Sequence, residues 1–168
     1  MNFQMDGNEW FGIISSVVMM ALFWTIRKHF QPIVIWIIWV FNITYVATID
    51  FALAATPFEL YYCGDNESYE PIATWIHVFL YPPFSFFFLY FYDKWSVRGT
   101  KLFLYLVLWT GISVVFEWIN IKVHLIVFTG WLLFYSIPTY PISALILIKL
   151  YHYIQKNLPP GALKKRIT

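Results

Sequence analysis

Charge is what this chain has least of. Only 12% of its residues are Asp, Glu, Lys or Arg, about half the roughly 25% of a soluble domain. A surface that poor in charge is not kept in water, so a soluble globular domain is excluded. The formal net charge of +2 is too small to hold nucleic acid, and no basic–aromatic patch accompanies it. Nucleic acid is therefore excluded as a partner. A single cysteine, Cys63, rules out a disulfide within the chain and reads as an incidental thiol in a loop. The Gly-Lys-Ser/Thr phosphate loop, the Gly-x-Ser-x-Gly elbow and the His-Glu-x-x-His helix are all missing. The chemistries those patterns support have no basis here. No basic residue precedes the first apolar run, where Asp6 and Glu9 stand instead. That run is expected to be a retained span, not a signal peptide.

What the chain has in quantity is apolar and aromatic surface: 60% hydrophobic residues, with 23% Phe, Trp and Tyr. A hydrocarbon core about 30 Å thick needs about 20 helical residues. Five stretches qualify: residues 10–26, 33–55, 72–92, 101–121 and 125–148. Their length and lack of strict alternation exclude a barrel. The expected fold is all-α, a single transmembrane domain of five helices in a lipid bilayer. Pro82-Pro83 interrupts the third stretch, and Pro138 and Pro141 lie inside the fifth, where a distortion near mid-membrane is expected. The fifth helix is expected to run on to Asn157 and stop at Pro159-Pro160. A basic tail covers 149–168.

The few charges are sorted by side. Ten of the eleven Lys and Arg residues occupy the gap after helix one, the gap after helix three, and the tail. They are Arg27 and Lys28, then Lys94, Arg98 and Lys101, then Lys149, Lys156, Lys164, Lys165 and Arg166. The opposite side has only Lys122, with Glu59, Asp65, Glu67 and Glu70 in its long loop. Basic residues near helix ends stay cytoplasmic. The expectation is an N-terminus outside and a C-terminus inside, as an odd number of spans requires. Asn66-Glu67-Ser68 matches a glycosylation sequon in the outer loop. Asn42-Ile43-Thr44 also matches but lies within a span.

Ionisable groups inside the apolar stretches are costly and call for a reason. Asp50 lies roughly 26 Å from the inner end of helix two, and Glu117 roughly 24 Å beyond Lys101 on helix four, at 1.5 Å per residue. His77 lies roughly 8 Å in from the outside by the same rise. All three therefore fall in the outer third of the membrane, with Glu9 and His124 at the boundary. Helical phase extends the pattern. Thr74, His77, Tyr81 and Ser85 share a stripe on helix three. Thr110, Ser113, Glu117 and Asn120, extended by His124, share one on helix four. Thr129, Ser136, Thr139, Tyr140 and Ser143 share one on helix five. Such faces turn toward protein, which predicts a polar seam among helices three, four and five. The plainer account of the Ser and Thr residues is helix–helix hydrogen bonding, worth about 0.6 kcal/mol each.

The ligand- or proton-binding candidates are Glu117, Asp50, His77, Tyr81, Ser113 and Asn120. A carboxylate beside an imidazole can handle protons near neutral pH, and the same groups can recognise a small ligand entering from outside. No ligand pair has a metal spacing such as His-x-x-x-His, so neither a metal nor another cofactor is expected. A non-enzymatic binding or sensing role leads. The alternatives are an accessory subunit of a larger membrane complex, and an intramembrane enzyme on a lipid-linked substrate with Glu117 and His77 as acid and base. A membrane-protein partner or a second copy of the chain could complete the site.

The Tyr92-Asp93-Lys94-Trp95-Ser96 turn, Phe116-Glu117-Trp118, and Trp131 followed by Tyr135-Ser136 carry a likeness. Over roughly Trp75 to Ile154 the chain resembles the small multi-spanning membrane proteins of unassigned function from endospore-forming Firmicutes. That resemblance implies a bacterial cytoplasmic membrane. It implies no activity.

Overall fold

The computed structural model describes residues 6–54, 57–65 and 70–158. The sequon Asn66-Glu67-Ser68, Pro159-Pro160 and the tail residues Lys164, Lys165 and Arg166 lie outside them. The elements are α1 (Gly7–Ile26), α2 (Pro32–Ala54), β1 (Tyr61–Cys63), α3 (Pro71–Phe79), α4 (Tyr81–Lys94), α5 (Thr100–Lys122), β2 (Ile126–Phe128) and α6 (Leu133–Asn157). With α3 and α4 counted as one broken span, five helical segments are long and apolar enough to cross a membrane. The chain is an all-α, multi-pass membrane protein. Its outward-facing residues fit that environment: Trp36 is 70% and Phe51 76% exposed on α2. Apolar groups so exposed need lipid around them.

Local chemistry explains where the segments begin and end. The Asp6 backbone N–H donates to the Glu9 carboxylate at 2.8 Å, which starts α1 three residues ahead of the apolar run. Proline opens α2 and α3, where its missing N–H would have had no helical partner. In α4, Pro82 and Pro83 remove two successive donors, and the span breaks at Leu80. The other proline pair, Pro138 and Pro141, takes the sixth and ninth positions of α6. α6 does run on to Asn157, so residues 149–157 are helix.

The expected fifth span over 125–148 needs correction at its start. After α5 the chain does not re-enter a helix until Leu133. The His124 N–H donates to the Ile121 carbonyl and the Leu125 N–H to the Asn120 carbonyl, at 3.1 and 2.9 Å. His124 takes a left-handed φ of 59°. That is a Schellman cap with histidine where glycine is usual. α4 ends in the same way, with Ser96 at φ 47° and Val97 N–H on the Tyr92 carbonyl. His124 therefore does not extend the α5 stripe, and Thr129 is not on α6.

Residues freed by the cap build a roof. β1 and β2 pair antiparallel, Tyr61 opposite Phe128 and Cys63 opposite Ile126. Three successive N–H groups, from Thr129, Gly130 and Trp131, converge on the Leu60 carbonyl at 3.0, 2.9 and 2.9 Å. Leu125, 1% exposed, packs with Ile72, Ile76 and Leu80 beneath. A Cβ on Gly12 of α1 would lie 3.2 Å from Ile72 and 3.4 Å from Leu125. Gly12 and Ser16 thus form a small-x-x-x-small contact that lets α1 approach closely. The larger core fills the other end, around Phe86, Leu89, Ile38 and Tyr151, each fully buried.

Candidate functional site

Under the roof is a cavity of about 430 Å³. Its walls come from α2, α3, α4, α5 and α6, and α1 contributes none of its lining among the described residues. On α2 the lining residues Asn42, Tyr45, Ile49 and Leu53 recur every three or four positions, the period of one helical face. The roof follows the period of a strand: Tyr61 and Cys63 line the cavity, as do Ile126 and Phe128 opposite them. The expected seam among the last three helices therefore gains a further wall, α2, and a lid from two loops.

Asp50 and His77 meet across α2 and α3. His77 Nε2 lies 2.6 Å from Asp50 Oδ2, and His77 is 7% exposed. An ionised carboxylate only accepts, so that nitrogen carries the proton when Asp50 is charged. The other Asp50 oxygen accepts from the Tyr61 hydroxyl at 2.6 Å. Burial first, then the neighbouring Asp50 charge, pushes the Tyr61 phenol up from its usual range. Tyr61 is thus a fixed donor that ties the roof to α2. Tyr81 stacks on the His77 ring, centroids 5.9 Å apart.

Glu117 belongs to a second cluster in the same cavity. Its Oε1 accepts from the Ser136 hydroxyl at 2.7 Å and its Oε2 from the Tyr140 hydroxyl at 2.8 Å. The Trp131 indole N–H donates to the Ser136 oxygen at 2.9 Å. Among the described residues no Lys, Arg or His lies within ion-pair distance of Glu117. Asp50, His77 and Glu117 therefore share one cavity, but only Asp50 and His77 bond to each other. Ser113 lines the wall. Asn120 lines it too, 4% exposed, with its amide on the Phe116 carbonyl at 2.7 Å. Deeper, the Ser85 hydroxyl donates to Asn42 Oδ1 at 2.6 Å, and Tyr45 and Ser143 hydroxyls meet at 3.0 Å. Among the described residues no three His, Cys, Asp or Glu side chains are arranged to hold a metal ion.

Some of this set was hidden in the sequence. Tyr61 sits in a loop with no pattern long enough to mark it as a strand. Asn42 did leave a signal, since eight residues before Asp50 puts it about 80° around α2, within one broad helical face. In the sequence Asp93 shows only as part of a turn. At the opposite end of the bundle it accepts from the Tyr151 hydroxyl and lies 3.1 Å from His29 Nε2, joining α4 and α6 to the turn after α1. Arg27 there lies 3.4 Å over the Trp24 ring.

Compared with protein-family models, with curated proteins and with solved structures, the chain matches none.

Proposed function

We propose that this protein binds a small ligand in the cavity that Asp50, His77 and Glu117 share, and that it sits in a bacterial cell membrane with its N-terminus outside and its C-terminus in the cytoplasm. The observation that carries the ligand reading is the cavity itself. About 430 Å³ of space falls within the range of small-molecule sites, which are largely apolar with a few placed polar groups. It is far more room than protons alone require, which favours a ligand over simple proton exchange. Orientation rests on the basic residues gathered at the ends of α1, α4 and α6. The cavity would then face outward.

Two measurements check this. Protein purified in mild detergent is expected to carry a small molecule, identified by mass spectrometry after release. Its amount should fall at least tenfold in Ser113→Trp, which fills the cavity, and in Glu117→Gln. Equal retention by both folded variants would remove the ligand reading. For orientation, a reporter fused at Asp65 should be active only outside the cytoplasm; cytoplasmic activity would invert the topology.

A further inference from the structure

We infer that the ligand is an organic cation, a protonated amine or quaternary ammonium group on an apolar body, held by Glu117. This rests on reading the cavity as a ligand site. Among the described residues, the charges that line the cavity are Asp50, Glu117 and, when protonated, His77, with no Lys or Arg. Asp50 and His77 answer each other at 2.6 Å. Glu117 has only hydroxyl donors, one on each oxygen. A carboxylate offers about four lone-pair sites, so both oxygens keep capacity for a further donor. A carboxylate in an apolar cavity either takes up a proton or is stabilised in its charged form by a nearby positive charge, and among the described residues no Lys, Arg or His lies within ion-pair distance of Glu117.

The walls say what kind of cation. Phe84, Phe88, Trp109 and Phe116 line the cavity together with Tyr81 and Tyr140. Aromatic faces attract cations and also cover apolar groups. A bare metal ion would instead want several oxygens converging within about 2–2.6 Å, and Asp50 and Glu117 stand in separate clusters bound to different partners. An ammonium group with an attached hydrocarbon satisfies the carboxylate, the rings and the volume together. An amine could reach the cavity free or as a lipid headgroup, and the chemistry is the same.

The test uses two molecules of one shape. Benzyltrimethylammonium carries a positive nitrogen where neopentylbenzene has a carbon. Both are titrated into the full chain in phosphatidylglycerol nanodiscs by calorimetry. The cation is expected to bind at least tenfold tighter than its neutral counterpart. Glu117→Gln should remove that preference and leave the neutral molecule bound within threefold, while Glu117→Asp should keep it. Equal or tighter binding of neopentylbenzene to the wild-type protein overturns the cation proposal and leaves the cavity reading intact. Binding of neither molecule overturns both. The wild-type comparison decides the matter even if a variant does not fold. Adding phosphatidylethanolamine to the nanodiscs separates the sources: a headgroup ligand competes with the probe, whereas a free cation is unaffected.

Discussion

Truncating Phe86 to alanine is expected to destabilise the bundle by about 3–5 kcal/mol, the range for emptying a buried aromatic position. Phe86 is fully buried on α4. Its ring centroid lies 5.0 Å from Phe23 of α1, 5.0 Å from Phe30 and 6.0 Å from Trp39 of α2. One side chain thus joins three segments, and the neighbours that would have to collapse into the void are themselves large rings on separate helices. Partial relaxation is all they can achieve, so much of the cavity cost should persist. The comparison is Phe103→Ala on α5, where the ring is 67% exposed. That ring faces lipid whether or not the helices are assembled, so its loss should change stability by no more than about 0.5 kcal/mol. Unfolding both variants in graded denaturing detergent checks this. Equal costs for the two would mean that the cluster around Phe86 is not the core.

Leu125→Ala is expected to cost about 2–5 kcal/mol and to act first on the roof. Leu125 is 1% exposed and packs against Ile72, Ile76 and Leu80. Its carbonyl also accepts from the Gly64 N–H at 3.0 Å, one residue beyond β1. Loosening it should release both strands, and Cys63 in β1 is the natural reporter. Burial, then the charges of Asp50, Glu70 and Glu9, push the Cys63 thiol up to about 12. A raised value means less thiolate at any lower pH, and thiolate is the reactive form. Maleimide labelling of the wild-type protein should therefore be slow at pH 8 and rise about tenfold per pH unit past pH 9, where an ordinary thiol levels off. In Leu125→Ala, labelling at pH 8 should be at least tenfold faster and the rise should level off nearer pH 9. An unchanged labelling profile in a folded variant would separate Leu125 from the roof.

The spans were legible because the membrane makes two demands that a sequence states directly: enough apolar residues to cross, and few charges while crossing. The cost of a buried charge also drew attention to Asp50, His77 and Glu117 one at a time. Their partners were less visible. The Ser136 and Tyr140 hydroxyls lie 19 and 23 residues from Glu117 along the chain, and Tyr61 reaches Asp50 from a three-residue strand. A strand that short carries no usable period. The start of α6 is hidden in the sequence for a related reason. Apolar residues 125–128 look like the beginning of a span, and no glycine or proline marks the turn at His124. The signal is a left-handed histidine, held by the burial of Leu125 and the pairing of β2 with β1, and those contacts are remote in sequence.

By itself, the sequence determined that this protein crosses a membrane five times, that its positive charge is sorted to alternate gaps, and that three ionisable groups lie where lipid would reject them. These follow from composition and spacing, because the bilayer acts on every residue independently of its neighbours. Only the tertiary structure decided that Asp50 pairs with His77 while Glu117 keeps to Ser136 and Tyr140. It alone showed that α2 forms a wall of the cavity, and that two short strands close it. Those outcomes depend on which side chains meet across helices, a matter of packing that no local pattern encodes.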